Sequence, residues 1–315
     1  MKRFRFHDLM VCLAFITGIH VVNAQTIVAA DPAEPPAVQT ILSLHAPQAD
    51  WAFSGTVTNE SGERYHYFFQ IKRNATQYQG IATIIDGQNK AVLVHEAGNA
   101  LIEHAELSNW RVGNLFLRFN PINSSWVFGV SSKGKKGFNF KVDMLEHDDA
   151  QLAKKQNLRD GIELLISQTG RLNGHLQVDE TRKEEFITAK KAWFRQIWVN
   201  KPQTTQHPLT ALLCEFNDGK AVYSVTIPEQ DAIRGSVAGW RDEKGAAIAM
   251  SQFVTVAETK DTIWQINIPS PKVSLSFTNL LGKYDDNHGL VMGVIDGSLP
   301  GFCAISKDEI EATKN

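Results

Sequence analysis

This chain of 315 residues has few cysteines, no long apolar run and no marked excess of charge of one sign. The three cysteines, Cys12, Cys214 and Cys303, form no CxxC pair, which excludes a zinc site of that type. The formal net charge of −2 provides no basic surface, so we expect no nucleic-acid partner. The longest apolar run, over residues 9–22, is shorter than the roughly 20 residues that a membrane-spanning helix requires.

Common catalytic and cofactor motifs are also absent. The sequence has no HExxH zinc motif, no Walker loop, no GxSxG turn and no dinucleotide-binding GxGxxG after a strand. His95, Glu96 and His104 are close together in the sequence, but their spacing fits no common zinc site. We therefore predict no metal, no cofactor and no catalytic residue of these classes.

The first 24 residues have the form of a secretory signal peptide. Lys2, Arg3 and Arg5 precede the apolar run, and short side chains follow it before Gln25. Cleavage there removes three basic residues and one acidic residue, so the formal net charge changes from −2 to −4. We expect an exported protein, periplasmic or secreted, without integral membrane insertion after cleavage.

Apolar and polar residues alternate with a period of two through most of the remaining chain. The segments "WAFSGTVT" at 51–58 and "VSLSFT" at 273–278 are clear examples, and turns rich in Gly, Asp and Asn separate such segments. Short antiparallel strands with one apolar face explain this pattern. The sequence therefore predicts an all-β protein, built as a sandwich or a barrel.

The length of the β region and the return of similar hairpins divide it into two domains. If the second domain closes into a barrel, its strands "TALLCEF" and "GFCAIS" are neighbours, and Cys214 meets Cys303. A disulfide there closes a span of 89 residues and stabilises by about 4 kcal/mol, while two separate buried thiols are the alternative. The predicted divisions are a signal peptide (1–24), a Pro- and Ala-rich linker (25–48), an N-terminal domain (49–185), a C-terminal domain (186–308) and a tail (309–315).

The stretch "KKAWFRQIWVN", residues 190–200, has the composition of a cavity wall. On a strand, Phe194, Gln196 and Trp198 share one face, while Arg195 lies on the opposite face and needs a partner or solvent. Barrels of about eight strands are wide enough to hold one small ligand. Ordinary core packing explains the same side chains, and the sequence leaves both interpretations open.

Several motifs are similar to a known family. The run "LISQTGRLNGHLQVDE…FITAKKAWFRQIWVN…FNDGKAVYSVTI" resembles the middle of the hydroxyneurosporene synthase, or carotenoid 1,2-hydratase, family of lipocalin-like proteins. The segments "WAFSGTVTNESGERYHYFFQI" and "GLVMGVIDGSLPGFCAIS" resemble its opening strand pair and its final Gly-rich strands. The resemblance covers most of residues 50–307 in short motifs. It implies two consecutive lipocalin-like antiparallel β-barrel domains and an apolar ligand.

The resemblance also implies which residues form the site. In the hydratases of that family, acid chemistry at an isolated double bond is attributed to a His and an Asp near a Trp and a Tyr. Trp198 and Tyr223 match the Trp and the Tyr, but Gln196 stands at the His position and Val225 at the Asp position. Neither replacement has a proton acidic enough to protonate an alkene.

We therefore expect an exported lipocalin-like protein that binds or carries a lipophilic small molecule and does not catalyse a reaction. The alternative is a hydratase or isomerase acting on an isoprenoid-like substrate, in which another acid such as Asp218 or Asp242 donates the proton. The predicted ligand-binding residues are Phe194, Gln196, Trp198 and Tyr223.

Overall fold

The computed structural model describes residues 43–103, 109–131, 136–144, 155–179, 181, 183–228, 235–259, 262–282 and 289–313. These residues form 22 β-strands and one helical turn at 43–45, which confirms the predicted all-β fold class. All of them belong to one compact unit of the chain. No helix in this part is long and apolar enough to cross a membrane. The predicted signal peptide, 1–24, lies outside the described residues.

The first sheet contains 13 antiparallel strands. They are β1 (Gln48–Asn59), β2 (Arg64–Asn74), β3 (Gln77–Asp86), β4 (Val92–Leu101), β5 (Asn109–Val112), β6 (Leu115–Asn120), β7 (Ser125–Val130), β8 (Gly137–Asp143), β9 (Gln156–Arg159), β10 (Ile162–Gln168), β11 (Leu172–Gln177), β12 (Glu185–Ala189) and β13 (Trp193–Val199). The order is β4-β3-β2-β1-β12-β11-β8-β7-β6-β5, with β4 next to β5, so this sheet forms a nearly closed barrel.

Strand β1 changes its partner halfway along its length. Residues 48–54 pair with β13, whereas Thr58 and Asn59 pair with β12, so residues 55–57 have no strand partner on that side. On its other side, β13 pairs with β10, and β10 pairs with β9, so these three strands form a branch of the first sheet. The first sheet therefore extends to the end of β13, beyond the division predicted at residue 186.

Aromatic side chains fill the interior of the first barrel. Phe53 stacks on Phe128 with 4.3 Å between ring centroids and lies 4.9 Å from Phe194. The rings of Trp51 and Trp110 are 4.5 Å apart, and all five side chains are fully buried. The sequence interpretation in which alternating rings line a hollow is wrong for this interior, because rings from facing strands contact one another across it.

The second part of the chain forms two further sheets. The six-stranded sheet has the order β17-β16-β15-β14-β22-β21, and the three-stranded sheet has the order β18-β19-β20. Their bounds are β14 (His207–Phe216), β15 (Ala221–Thr226), β16 (Ser236–Arg241), β17 (Ala247–Ile248), β18 (Thr255–Glu258), β19 (Ile263–Pro269), β20 (Lys272–Thr278), β21 (Leu290–Ile295) and β22 (Gly301–Ile310). Strand β20 lies beside β21, and the two sheets enclose one core that includes Trp240, Trp264 and Phe277.

Strands β14 and β22 are neighbours, as the sequence predicts. Cys214 and Cys303 lie directly opposite each other in this pair and form a disulfide, with 4.1 Å between their Cα atoms. The bond joins an early strand of the second part to its last strand. It therefore links positions separated by 89 residues in the sequence.

The six-stranded and three-stranded sheets around this shared core are called the second barrel below. The first barrel and the second barrel pack face to face through the outward sides of their strands. Ala52 and Phe68 of the first barrel share an apolar cluster with Met292 and Phe302 of the second. A second apolar cluster joins β13 and β10 to β14 and β15. Charged side chains of β1, β2, β13 and β22 meet at the same interface.

Both ends of the described chain are held against the barrels. Arg73 donates hydrogen bonds to the carbonyl oxygens of Ser43, Leu44 and Ala46, which fixes the helical turn. Near the other end, the backbone N–H of Thr313 donates to the carbonyl oxygen of Gln203, which lies between β13 and β14. The last residues of the predicted linker and the described residues of the predicted tail are thus part of the folded unit.

Candidate functional site

The structure places the four predicted ligand-binding residues in two environments. Phe194, Gln196 and Trp198 face the interior of the first barrel and are buried. Tyr223 instead lies at the interface between the barrels, with its ring 5.6 Å from that of Trp193. Alternation along β13 explains the division, because neighbouring residues on a strand face opposite sides. The tryptophan of this stretch that meets Tyr223 is therefore Trp193.

Gln196 has an unusual environment. Its side chain is fully buried, and among the described residues neither its Oε1 nor its Nε2 has a hydrogen-bond partner. It lies opposite Trp51 on β1 and Leu165 on β10. A buried polar group without a partner costs about 1–3 kcal/mol. The amide therefore lowers the stability of the first barrel.

Val225 is also buried, in an apolar interface cluster that includes Ile197. The two alternative acids lie elsewhere. Asp218 accepts hydrogen bonds from Lys220, and Asp242 accepts them from backbone amides of its own turn. Both carboxylates thus stabilise hairpin turns, as Asp side chains commonly do.

A buried network of polar and charged side chains joins the two barrels. Arg195, on the outward face of β13, donates to Asp50 Oδ2 at 2.6 Å and to Ser306 Oγ at 2.9 Å. Gln70 donates to Asp50 Oδ2 at 2.9 Å and to Asp308 Oδ2 at 3.0 Å. The partner that the sequence required for Arg195 is therefore a carboxylate on the adjacent strand.

The two carboxyl groups of this network differ in acidity. Burial raises the pKa of Asp50, although Arg195 counteracts part of the effect. Burial also acts on Asp308, but Lys72, at 2.6 Å, and Arg195 outweigh it and hold the pKa of that carboxyl below its usual range. Burial thus disfavours the ionised form of Asp50, while the neighbouring cations favour the ionised form of Asp308.

The network lies beside a groove of about 650 Å³ between the barrels. Asp50, Lys72 and Asp308 contribute charged groups to its lining, and Ile197 and Leu209 contribute apolar ones. Of the four predicted residues, Trp198 alone borders the groove, and its side chain packs in the core of the first barrel instead. Clefts between domains are common sites for small ligands, so the groove is the candidate functional site.

The sequence motifs do not single out Asp50, Lys72 and Asp308. One signal was present, because Asp50 and Lys72 interrupt strands that are otherwise rich in apolar and aromatic residues. A charge at such a position needs a partner, as was inferred for Arg195. The sequence contains no sign that Asp308, near the other end of the chain, contacts Lys72 and Gln70.

Comparison with known proteins shows the fold. The sequence matches no protein-family model, and no curated protein matches it either. The chain is similar to the crystal structure of an AttH-like protein from Nitrosomonas europaea, with a TM-score of 0.58 and 11% identity over 90% of this chain and 98% of that one. It is also similar to kievitone hydratase from Nectria haematococca, with a TM-score of 0.55 and 12% identity over 86% and 92% of the two chains. At these identities the likeness shows the fold alone, and that fold is the lipocalin-like one expected from the sequence motifs.

Proposed function

We propose that the protein binds a small lipophilic molecule with a polar end group in the groove between its barrels. The observation that carries this proposal is the 650 Å³ groove itself, which places apolar side chains and a buried charged network around one space. Ile197, Leu209 and Ile310 supply apolar surface for the body of the ligand. Asp50 and Asp308 supply the polar end of the site.

The groove is a better site than the interior of the first barrel. A ligand inside that barrel would have to separate rings that already contact one another, such as Phe53 and Phe128. Packed interiors resist such insertion, and overpacking them typically costs about 1–3 kcal/mol or more. The groove is accessible without any such rearrangement.

The charged network indicates the chemistry of the polar end group. Oδ1 of Asp50 has no hydrogen-bond partner among the described residues, while its Oδ2 accepts from Arg195 and Gln70. A carboxyl oxygen accepts hydrogen bonds, so a hydroxyl or an amine that reaches this buried atom would supply the missing donor. The ligand class is therefore a lipophilic alcohol or amine.

Binding is tested with farnesol as the lipophilic alcohol and oleic acid as the carboxylate comparison. Gln79 is exposed and lines the groove, so Gln79→Trp fills the groove without disturbing the core. Gln265 is an exposed glutamine on β19, and Gln265→Trp is the matched control. We expect native mass spectrometry and Trp fluorescence titration to show farnesol bound to the wild type and the control, and at least tenfold weaker binding by Gln79→Trp. Absence of any uptake by the wild type would contradict the proposal.

An enzyme acting on an isoprenoid-like substrate is the second candidate, favoured by the unequal acidity of Asp50 and Asp308. In this role protonated Asp50 donates a proton to a double bond of the substrate, and the ionised Asp308 stabilises the resulting carbocation. Water then adds to the cation and releases a proton, which restores the acid form of Asp50. Incubation with farnesol in D₂O tests this candidate, because proton donation to carbon introduces deuterium. We expect Asp50→Asn to abolish deuterium incorporation while farnesol still binds. Binding of farnesol by the wild type without deuterium incorporation would contradict the enzyme candidate and support the carrier function.

We also propose that the protein is exported to the periplasm or beyond. The form of residues 1–24 supports this, and so does the disulfide between Cys214 and Cys303, because such bonds persist in oxidising compartments. N-terminal sequencing of the protein recovered from an expressing cell should begin at Gln25. An N-terminus at Met1 would contradict export by this route.

A further inference from the structure

A second groove lies at the opposite end of the interface between the barrels. Its volume is about 550 Å³, and parts of four hairpin turns line it. The start of β2 and the start of β22 contribute to it, whereas the 650 Å³ groove takes its lining from the ends of the same two strands. The two grooves are therefore separate sites, and a ligand of the second groove is independent of the ligand proposed for the first.

Most charged groups around the second groove already have partners. Lys90 pairs with Asp296 at 2.7 Å, and Glu63 accepts hydrogen bonds from Asn59 at 2.6 Å and from a tyrosine hydroxyl. Arg64 differs, because its guanidinium makes no hydrogen bond or close ion pair within the described part of the chain. The formal charges of Glu63, Arg64, Lys90 and Asp296 cancel, and Arg64 is the cation of this lining whose hydrogen-bond donors are available to a ligand.

His66 adds a fixed, uncharged imidazole to the same groove. Its Nδ1 lies 3.0 Å from Thr56 Oγ1, and its ring stacks on Phe302 with 4.6 Å between centroids. Its Nε2 faces Gly87, since a Cβ on that glycine would be only 2.9 Å away. Burial, followed by the nearby charge of Arg64, lowers the pKa of His66 to about 4. The ring is therefore neutral at pH 7 and contributes hydrogen bonding without charge.

Glu215 lies on β14, two residues before Asn217 of the groove lining, and Arg64 of the same lining acts on it electrostatically. Its half-buried carboxylate reaches the gap at residues 55–57 and accepts a hydrogen bond from the backbone N–H of Thr56. Burial raises the pKa of Glu215 to about 7, while Arg64, and more weakly Lys191, act to lower it. The protonation of this carboxyl therefore depends on the charge of Arg64.

The hydroxyl of Tyr67 faces Glu215 from the barrel interior. A Cβ on Gly55 would be 3.3 Å from the Tyr67 hydroxyl oxygen and 3.4 Å from Glu215 Oε2. Burial, followed by the negative charge of Glu215, raises the pKa of Tyr67 well above its usual value. Tyr67 is therefore protonated throughout the neutral range, and Glu215 is the titrating member of the pair.

We infer that the 550 Å³ groove is an oxyanion-binding site in which Arg64 binds a carboxylate or phosphate group, His66 adds a neutral hydrogen-bonding partner, and binding drives proton uptake by Glu215. The planar guanidinium matches the geometry of an oxyanion and forms charge-assisted hydrogen bonds with it. A bound anion neutralises the charge that favours ionised Glu215. The carboxyl then takes up a proton from solvent, and no other covalent change occurs.

NMR titration at pH 7 with sodium acetate and sodium sulfate tests binding and distinguishes a planar carboxylate from a tetrahedral anion. Arg64→Gln removes the guanidinium, and Arg118→Gln, at an exposed position on β6, is the matched control. We expect one or both anions to bind saturably to the wild type and the control, and at least tenfold more weakly to Arg64→Gln. Absence of saturable binding, or equal binding by Arg64→Gln, would overturn the site.

Proton uptake is measured in the same titrations with a pH-stat, because neither anion titrates near pH 7. The wild type is expected to take up a fraction of a proton per bound anion, whereas Glu215→Gln should bind the anion without uptake. Equal uptake by Glu215→Gln, or binding by the wild type without uptake, would overturn the coupling between the two groups.

Discussion

Arg195 Nη2 lies 2.6 Å from Asp50 Oδ2, and the two side chains are only 9% and 11% exposed. This ion pair lies where the barrels meet, and Ser306 and Asp308 of the second barrel also contact the arginine. Burying charged groups is costly unless every charge finds partners. The pair therefore makes the interface specific, because either barrel alone would leave part of the network without hydrogen bonds.

Removing the arginine should destabilise the protein strongly. Arg195→Met leaves two carboxylates close together without their shared guanidinium, and breaking a buried pair in this way typically costs about 3–5 kcal/mol. Urea denaturation provides the measurement. Arg118→Met, at an exposed position, is the control and should change the free energy of unfolding by less than about 0.5 kcal/mol. A similarly small effect of Arg195→Met would show that the network is solvated.

The two aspartates should respond differently to replacement. Asp308 has a lowered pKa, so its ionised form stabilises the protein above the unfolded pKa, and that contribution is lost as the pH falls. Asp50 has a raised pKa, so its ionised form is disfavoured by folding. We expect Asp308→Asn to reduce the free energy of unfolding at pH 7 by more than Asp50→Asn does. Equal losses, measured by chemical denaturation, would contradict this assignment.

Replacing the unpartnered amide inside the first barrel should stabilise the protein. Gln196→Met keeps a similar volume and removes two buried polar atoms without hydrogen bonds, so a gain of about 1–3 kcal/mol is expected. Gln265→Met tests the same exchange at an exposed site and should have little effect. Thermal and urea denaturation give both values. A loss of stability in Gln196→Met would indicate that the amide has a hydrogen-bonding partner in solution.

Glu215 should make stability depend on pH. Its pKa rises from 4.5 to about 7 on folding, so the folded state holds a proton that the unfolded state has released. This contribution is fully present below about pH 4.5 and is lost as the pH rises towards 7. Glu215→Gln should therefore be more stable than the wild type at pH 8, on the order of 2 kcal/mol, and similar at pH 4. An unchanged pH profile in the variant would contradict the assignment.

The disulfide should contribute through the unfolded state. The bond between Cys214 and Cys303 closes a span of 89 residues, for which chain entropy predicts about 4 kcal/mol. The double variant Cys214→Ala/Cys303→Ala should lose this amount in a denaturation experiment. Reducing agent should destabilise the wild type and leave the variant unaffected. Equal sensitivity of both proteins to the reducing agent would show that the thiols are not bonded in solution.

Local patterns predicted much of the fold. Alternation identified β1, β2, β13 and β20 and placed Phe194 and Arg195 on opposite faces, because a strand shows its two sides in turn whatever surrounds it. The same pattern indicated that Arg195 needs a partner or solvent. Strand order in the second part also placed Cys214 beside Cys303. These inferences depend on neighbours in sequence or on the closure of one sheet.

The candidate site was less predictable. Tyr223 and Trp198 have the residue types that a ligand site needs, but Tyr223 packs between the barrels, whereas Trp198 packs in the core of the first barrel. The carboxylates of Asp50 and Asp308 come from opposite ends of the chain and meet through Gln70. Periodicity specifies which side chains share a face, but it contains no information about what lies opposite that face.

By itself, the sequence determined the all-β class, which side chains share a face of each strand, and the near balance of acidic and basic residues. These properties depend only on residue order and composition. Only the tertiary structure decided whether the aromatic side chains enclose a space or fill one. That outcome depends on how far apart facing strands lie once the barrel has formed, and Phe53 and Phe128 are close enough to stack. The open space lies instead between the barrels, where the outward faces of two sheets carry charged side chains.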